Sequence, residues 1–73
     1  MAKKGDSAVY RVTDVIGTSS NSWEDAARNA VKTAAKSLRD LRIAEVTKLD
    51  VKVENGKITQ FRTRLSLSFK YSS

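Results

Sequence analysis

Apolar residues recur at three- and four-residue steps between Ser22 and about Leu41: Trp23, Ala27, Ala30, Val31, Ala34, Leu38 and Leu41. That spacing predicts one apolar face on a helix over this stretch. Ser22 is a good N-cap, and Asp25 three residues later completes a capping box. Glu24 and Asp25 also place negative charge at the positive end of the helix dipole. The apolar face is mostly alanine, so it can lie close against a sheet. Arg28, Lys32, Lys36 and Arg39 fall on the opposite face, as a solvated face or, less economically, a nucleic-acid surface. No Gly or Pro marks the C-terminal end.

The rest of the pattern is that of strands. Residues 8–16 are rich in β-branched side chains. Gly17-Thr18-Ser19-Ser20-Asn21 is a turn-forming run that leads into the helix cap. A long strand over 42–54, the hairpin dipeptide Asn55-Gly56 with its type I′ geometry, and a return strand over 57–71 complete the chain. Residues 1–7 are polar and read as a flexible N-terminal arm, leaving one domain over 8–73. The order is β-α-β-β, an α+β class.

A two-residue turn pairs Glu54 with Lys57, and the same register sets Val46 opposite Leu65 and Ala44 opposite Leu67. Phe61, Leu65, Leu67, Phe69 and Tyr71 then share the helix-covered face with Ala44 and Val46. The uncovered face carries Ile43, Leu49, Val51, Val53 and Ile58, with Glu45, Arg62 and Arg64. Leu49, Val51, Val53 and Ile58 form an aliphatic patch of the kind that marks an interface. A bulge near Thr47-Lys48 would change these assignments.

Composition narrows the chemistry. The chain has 73 residues, no cysteine and no histidine. Disulfides, thiolate sites and the commonest general base are therefore excluded. So small a domain is marginal without a staple, and self-association is the one available. Scattered serines without a base make no catalytic constellation. No stretch is apolar for long enough to span a membrane, and a cytoplasmic location is the default. Lys and Arg exceed Asp and Glu by 14 to 8, a net charge of +6 that favours small anionic ligands, acidic surfaces or nucleic acid.

Several segments resemble the dodecin family: Val9-Tyr10-Arg11-Val12-Thr13-Asp14-Val15-Ile16-Gly17-Thr18-Ser19, the capped start Ser22-Trp23-Glu24, the Glu45-Val46 strand, and the hairpin ending in Phe69. The resemblance implies a three-stranded antiparallel sheet partly wrapping one helix, and a hollow homododecamer. Dodecins typically bind flavins between a tryptophan on the second strand and a glutamine on the third. The matching positions here are Ile43 and Arg62, with Glu45 beside them. Isoleucine offers no π face and arginine donates only, so weak flavin binding is expected. Ser22-Trp23-Glu24, Arg42-Ile43-Ala44 and Gly56-Lys57-Ile58-Thr59 are similar to a calcium dodecin branch. Asp14, Glu24 and Asp25 are the candidate calcium ligands.

The reading is a non-enzymatic, oligomeric protein that binds or stores a small ligand or ion. The alternative is a basic nucleic-acid-binding module.

Overall fold

The computed structural model describes residues 8–70. The expected arm over 1–7 and the position of Tyr71 lie outside the described residues. Strand β1 spans Tyr10–Ser19, helix α1 Trp23–Ala35, β2 Leu41–Glu54 and β3 Lys57–Lys70. The sheet order is β1-β3-β2, with both pairings antiparallel. The β-α-β-β order and the single antiparallel sheet agree with the sequence reading. Asn55 and Gly56 have φ of 53° and 76°, the left-handed pair that a type I′ turn requires.

Local signals at the helix start work as the sequence predicts, with one change. The Ser22 side chain accepts from the Asp25 N–H at 3.0 Å. The Asp25 carboxylate closes the cap through an intermediary: it accepts from the Ser19 hydroxyl at 2.8 Å. That hydroxyl in turn accepts from the Asn21 N–H at 2.9 Å. Strand β1 therefore runs on through Gly17 to Ser19, where a turn was expected.

The helix ends at Ala35, about six residues before the expected boundary at Leu41. The Ser37 and Leu38 N–H groups both donate to the Ala34 carbonyl. Asp40 then takes a left-handed φ of 56°, and the chain enters β2. Leu38 and Leu41 still pack on the core. The apolar spacing thus continued past the helix because the core did.

That core is a layer of Leu65 and Leu67 from β3 under Ala30 of α1, with Val15, Ala27, Val31 and Ala34 packed round it. Ala26 is fully buried as well, although it lies one residue off the expected stripe. It sits against Gly17, where a Cβ would run into the Ala26 carbonyl and the Ala30 side chain. Gly17 is what lets β1 and α1 approach so closely.

Length sets the limit of this core. A 13-residue helix is about 20 Å long. The 14-residue strands β2 and β3 reach about 46 Å. One helix therefore covers under half of the sheet's inner face. The radius of gyration is 15.5 Å, against about 11 Å for a compact chain of this size.

Candidate functional site

Two surfaces stand outside the core: the outer face of the sheet, and the end of the inner face beyond the helix. A pair of bulges decides which residues each receives. The pairing shifts between Val46 and Lys48 and again between Lys52 and Val53. One extra residue, Thr47, enters β2, and one, Thr59, enters β3. Between these two points the register differs by one from that of a plain hairpin. Outside them it returns as far as Ile43, so Glu54 faces Lys57, Val46 faces Leu65 and Ala44 faces Leu67 as expected, and a third shift follows between Ile43 and Leu41.

The shift corrects the position of the aliphatic patch. Val51 lies opposite Phe61, Leu49 opposite Thr63, and Val53 opposite Ile58. Leu49, Val51, Val53 and Ile58 therefore lie on the same face as Leu65 and Leu67, not on the reverse face. They extend the inner face past the helix start. Leu49, Val53 and Ile58 are each more than half exposed there. Trp23 closes the covered part. Its indole N–H donates to the Asp50 carbonyl at 3.0 Å. Its ring meets Phe61 edge to face at 5.2 Å, and its carbonyl accepts from the buried Thr63 hydroxyl at 2.9 Å.

Ile43, Glu45 and Arg62 do lie on the outer face, opposite Ser68, Ser66 and Asp50. Ile43 is 55% exposed. Arg62 is separated from Ser68, the partner of Ile43, by six residues, about 20 Å along the strand. No small ligand can touch both within one chain. A pocket using these positions must draw them from different chains.

Arg62 is also committed. Its Nε and Nη2 donate to the two oxygens of Asp50 at 2.7 and 2.9 Å. This side-on pairing holds the Asp50 carboxyl below its ordinary value of 3.8, chiefly through the hydrogen bond, with Arg64 and Lys48 adding attraction. The same bond raises the Arg62 guanidinium. Sequence reasoning missed this pair because the plain register puts Asp50 opposite Phe61. Only the one-residue shift between the bulges at Thr59 and Thr47 brings the two charges into one row.

The candidate calcium ligands do not meet within one chain. Asp14 pairs with Ser66 on the outer face. Glu24 and Asp25 lie in the first turn of α1, over the inner face, and Asp25 is engaged with Ser19. Among the described residues, no three carboxylates group as a metal site. No helix among them is long and apolar enough to cross a membrane.

The fold is that of a known class, and residues 9–72 match the dodecin family. The chain belongs to that family. It is 50% identical over 64 residues to the calcium dodecin of Mycobacterium tuberculosis, covering 86% of this chain and 89% of that protein. The solved structure of dodecin from Streptomyces coelicolor superposes with a TM-score of 0.86 at 36% identity, over 100% of this chain and 99% of the other. The structure of the M. tuberculosis calcium dodecin, described as a calcium-chelating immunodominant antigen with a novel calcium-binding site, superposes at 0.79. It shows 47% identity and covers 89% and 93% of the two chains. Membership of this family does not favour the nucleic-acid-binding alternative.

Proposed function

We propose that this protein is a non-enzymatic, cytoplasmic, self-assembling dodecin, a dodecamer as the family resemblance implies, that binds or stores a small ligand or ion. The observation that carries the reading is the uncovered inner face. Leu49, Val51, Val53 and Ile58 continue an apolar surface that the chain's own helix is too short to cover, and the radius of gyration far exceeds that of a self-contained domain. A second chain is the economical cover. Val51→Lys places a charge in that contact. It should shift sedimentation to smaller species, whereas an unchanged profile removes this face as the interface.

Calcium is the proposed ion, supported by the similarity to the M. tuberculosis calcium dodecin, whose name carries it. Its usual 6–8 oxygens would come from several chains, since Asp14 lies apart from Glu24 and Asp25. Calorimetry on the assembled protein should show calcium heat, and Asp14→Asn should reduce it. No heat and no shift in melting temperature would withdraw the ion.

Flavin binding should be weak. Losing an aromatic platform at Ile43 removes about 1–3 kcal/mol of stacking on the scale of base–aromatic contacts, roughly 5- to 150-fold in affinity. Arg62 replaces an acceptor with a donor already paired to Asp50. Fluorescence titration of Ile43→Trp/Arg62→Gln beside the parent checks this, and tight quenched binding by the parent would refute it.

A further inference from the structure

The outer face carries an excess of cations in one place. Lys48 lies directly opposite Arg64, and Asp50 directly opposite Arg62 in the next row. All four share the face away from the helix. Like charges directly opposite each other in a sheet are destabilising. Asp50 is the only carboxylate in the two rows, and Arg62 has claimed both its oxygens. On β1 the neighbours of Arg64 and Arg62 are Ile16 and Thr18, which bring no charge. The next carboxylates, Asp14 and Glu45, flank Ser66, about 7 Å further along the strands. Three cations thus surround one carboxylate.

The atoms used by the Arg62 pair define what is left. A guanidinium has two edges that can present parallel N–H bonds. Asp50 takes the Nε/Nη2 edge. The Nη1/Nη2 edge remains, and the ion pair fixes the plane in which it lies. A fork of that kind fits an acceptor with two oxygens at tetrahedral or carboxylate spacing. Lys48 and Arg64 stand beside it with no ion-pair partner among the described residues.

We propose that Arg62, Lys48 and Arg64 form a phosphate-binding patch on the outer face, with Asp50 as the residue that positions Arg62. This rests on the reading of the protein as a small-ligand binder and gives the ligand's chemical class: a phosphate, free or carried as an ester. Asp50 does not touch the ligand. It holds the guanidinium so that less side-chain freedom is lost on binding.

The test is calorimetric titration of the assembled protein with inorganic phosphate in about 150 mM sodium chloride, where longer-range attraction is screened. Phenyl phosphate beside phenol separates the two sources of the group. Tighter binding of phenyl phosphate than of inorganic phosphate assigns an ester, and the reverse assigns the free ion. Binding of phenol as tight as that of phenyl phosphate overturns the proposal.

Arg62→Lys keeps the charge and removes the fork, and should weaken phosphate about tenfold. Binding unchanged by Arg62→Lys overturns the role of the fork. Asp50→Asn is the sharper variant. Simple charge attraction makes it bind phosphate more tightly, because a negative charge has gone. A positioned fork makes it bind several-fold more weakly, and tighter binding refutes the positioning role. Asp50 is exposed and Arg62 partly so, and unchanged circular dichroism and sedimentation confirm that the variants fold and assemble. Absence of phosphate heat from the parent, with calcium heat and sedimentation intact, overturns this inference alone and leaves the assembly reading standing.

Discussion

The inner face of the sheet has two halves made of similar residues. Leu65, Leu67 and Phe69 lie under the helix and are almost wholly buried. Leu49, Val53 and Ile58 continue the same face past Trp23 and are more than half exposed. The difference is one of cover, not of sequence character. A helix rises about 1.5 Å per residue and a strand about 3.3 Å, so 13 helical residues cannot roof 14 extended ones. Residue type alone therefore does not say whether an aliphatic side chain in this fold serves the core or a contact between chains. Distance from the helix start says so.

Three comparisons test that contrast, in falling order of the largest effect each contains. Leu67→Ala removes a fully buried side chain from the covered half and should cost about 2–5 kcal/mol. Val53→Ala in the uncovered half should cost the single chain under about 0.5 kcal/mol. It should act instead on the concentration dependence of melting, as an assembly contact does. Urea denaturation and melting over a range of concentrations read the two. Equal losses that do not depend on concentration would erase the distinction.

Gly17→Ala tests how the helix is held on the covered half. The new Cβ has no room between the Ala26 carbonyl and the Ala30 side chain. The helix must lift from β1, at a cost of about 1–3 kcal/mol. A stability equal to that of the parent in urea would show that the close approach is not needed.

The smallest effect concerns the outer face. The folded Asp50 carboxyl is held below its ordinary value by Arg62. Its stabilisation is therefore present above about pH 4 and is lost as pH falls through the lower folded value. Arg62 is raised, so its own contribution is lost only in strong alkali. Denaturation of the parent and Asp50→Asn at pH 6 and pH 2 should show a small gap that closes in acid. A gap that persists at pH 2 assigns the effect to something other than this charge.

Much of the fold was legible because its signals are local. Ser22 caps, and Asn55-Gly56 turns, through atoms within a few residues of each other. The helix end was hidden because Leu38 and Leu41 keep a helical spacing after the helix has stopped, and no glycine marks the left-handed Asp40. The outer-face placement of Ile43, Glu45, Arg62 and Arg64 was readable from alternation. The placement of Leu49, Val51, Val53 and Ile58 was not, because it depends on a bulge whose presence alternation does not specify. The Arg62–Asp50 pair was lost for the same reason. Asp14, Glu24 and Asp25 are near in sequence, but β1 and α1 send them to opposite sides of the sheet.

The bulge at Thr47 also bears on insertions and deletions. A strand is a two-letter alphabet, inward and outward, and one extra residue works as a frameshift in it. At Ala44 and Val46 the even-numbered residues of β2 face inward, and from Leu49 onward the odd-numbered ones do. A chain that lost Thr47 alone would keep a continuous strand and an intact turn. With the bulge gone, Lys48 would follow Val46 in plain alternation, so Leu49, Val51 and Val53 would stay inward and Lys48, Asp50 and Lys52 outward. Such a deletion should leave far-ultraviolet circular dichroism and assembly in the ultracentrifuge nearly unchanged, and lost assembly would show that the local bend of the bulge is itself needed. In homologous chains, then, a single gap at this point would leave both faces as they are, whereas a gap in a regular stretch of the strand would exchange them.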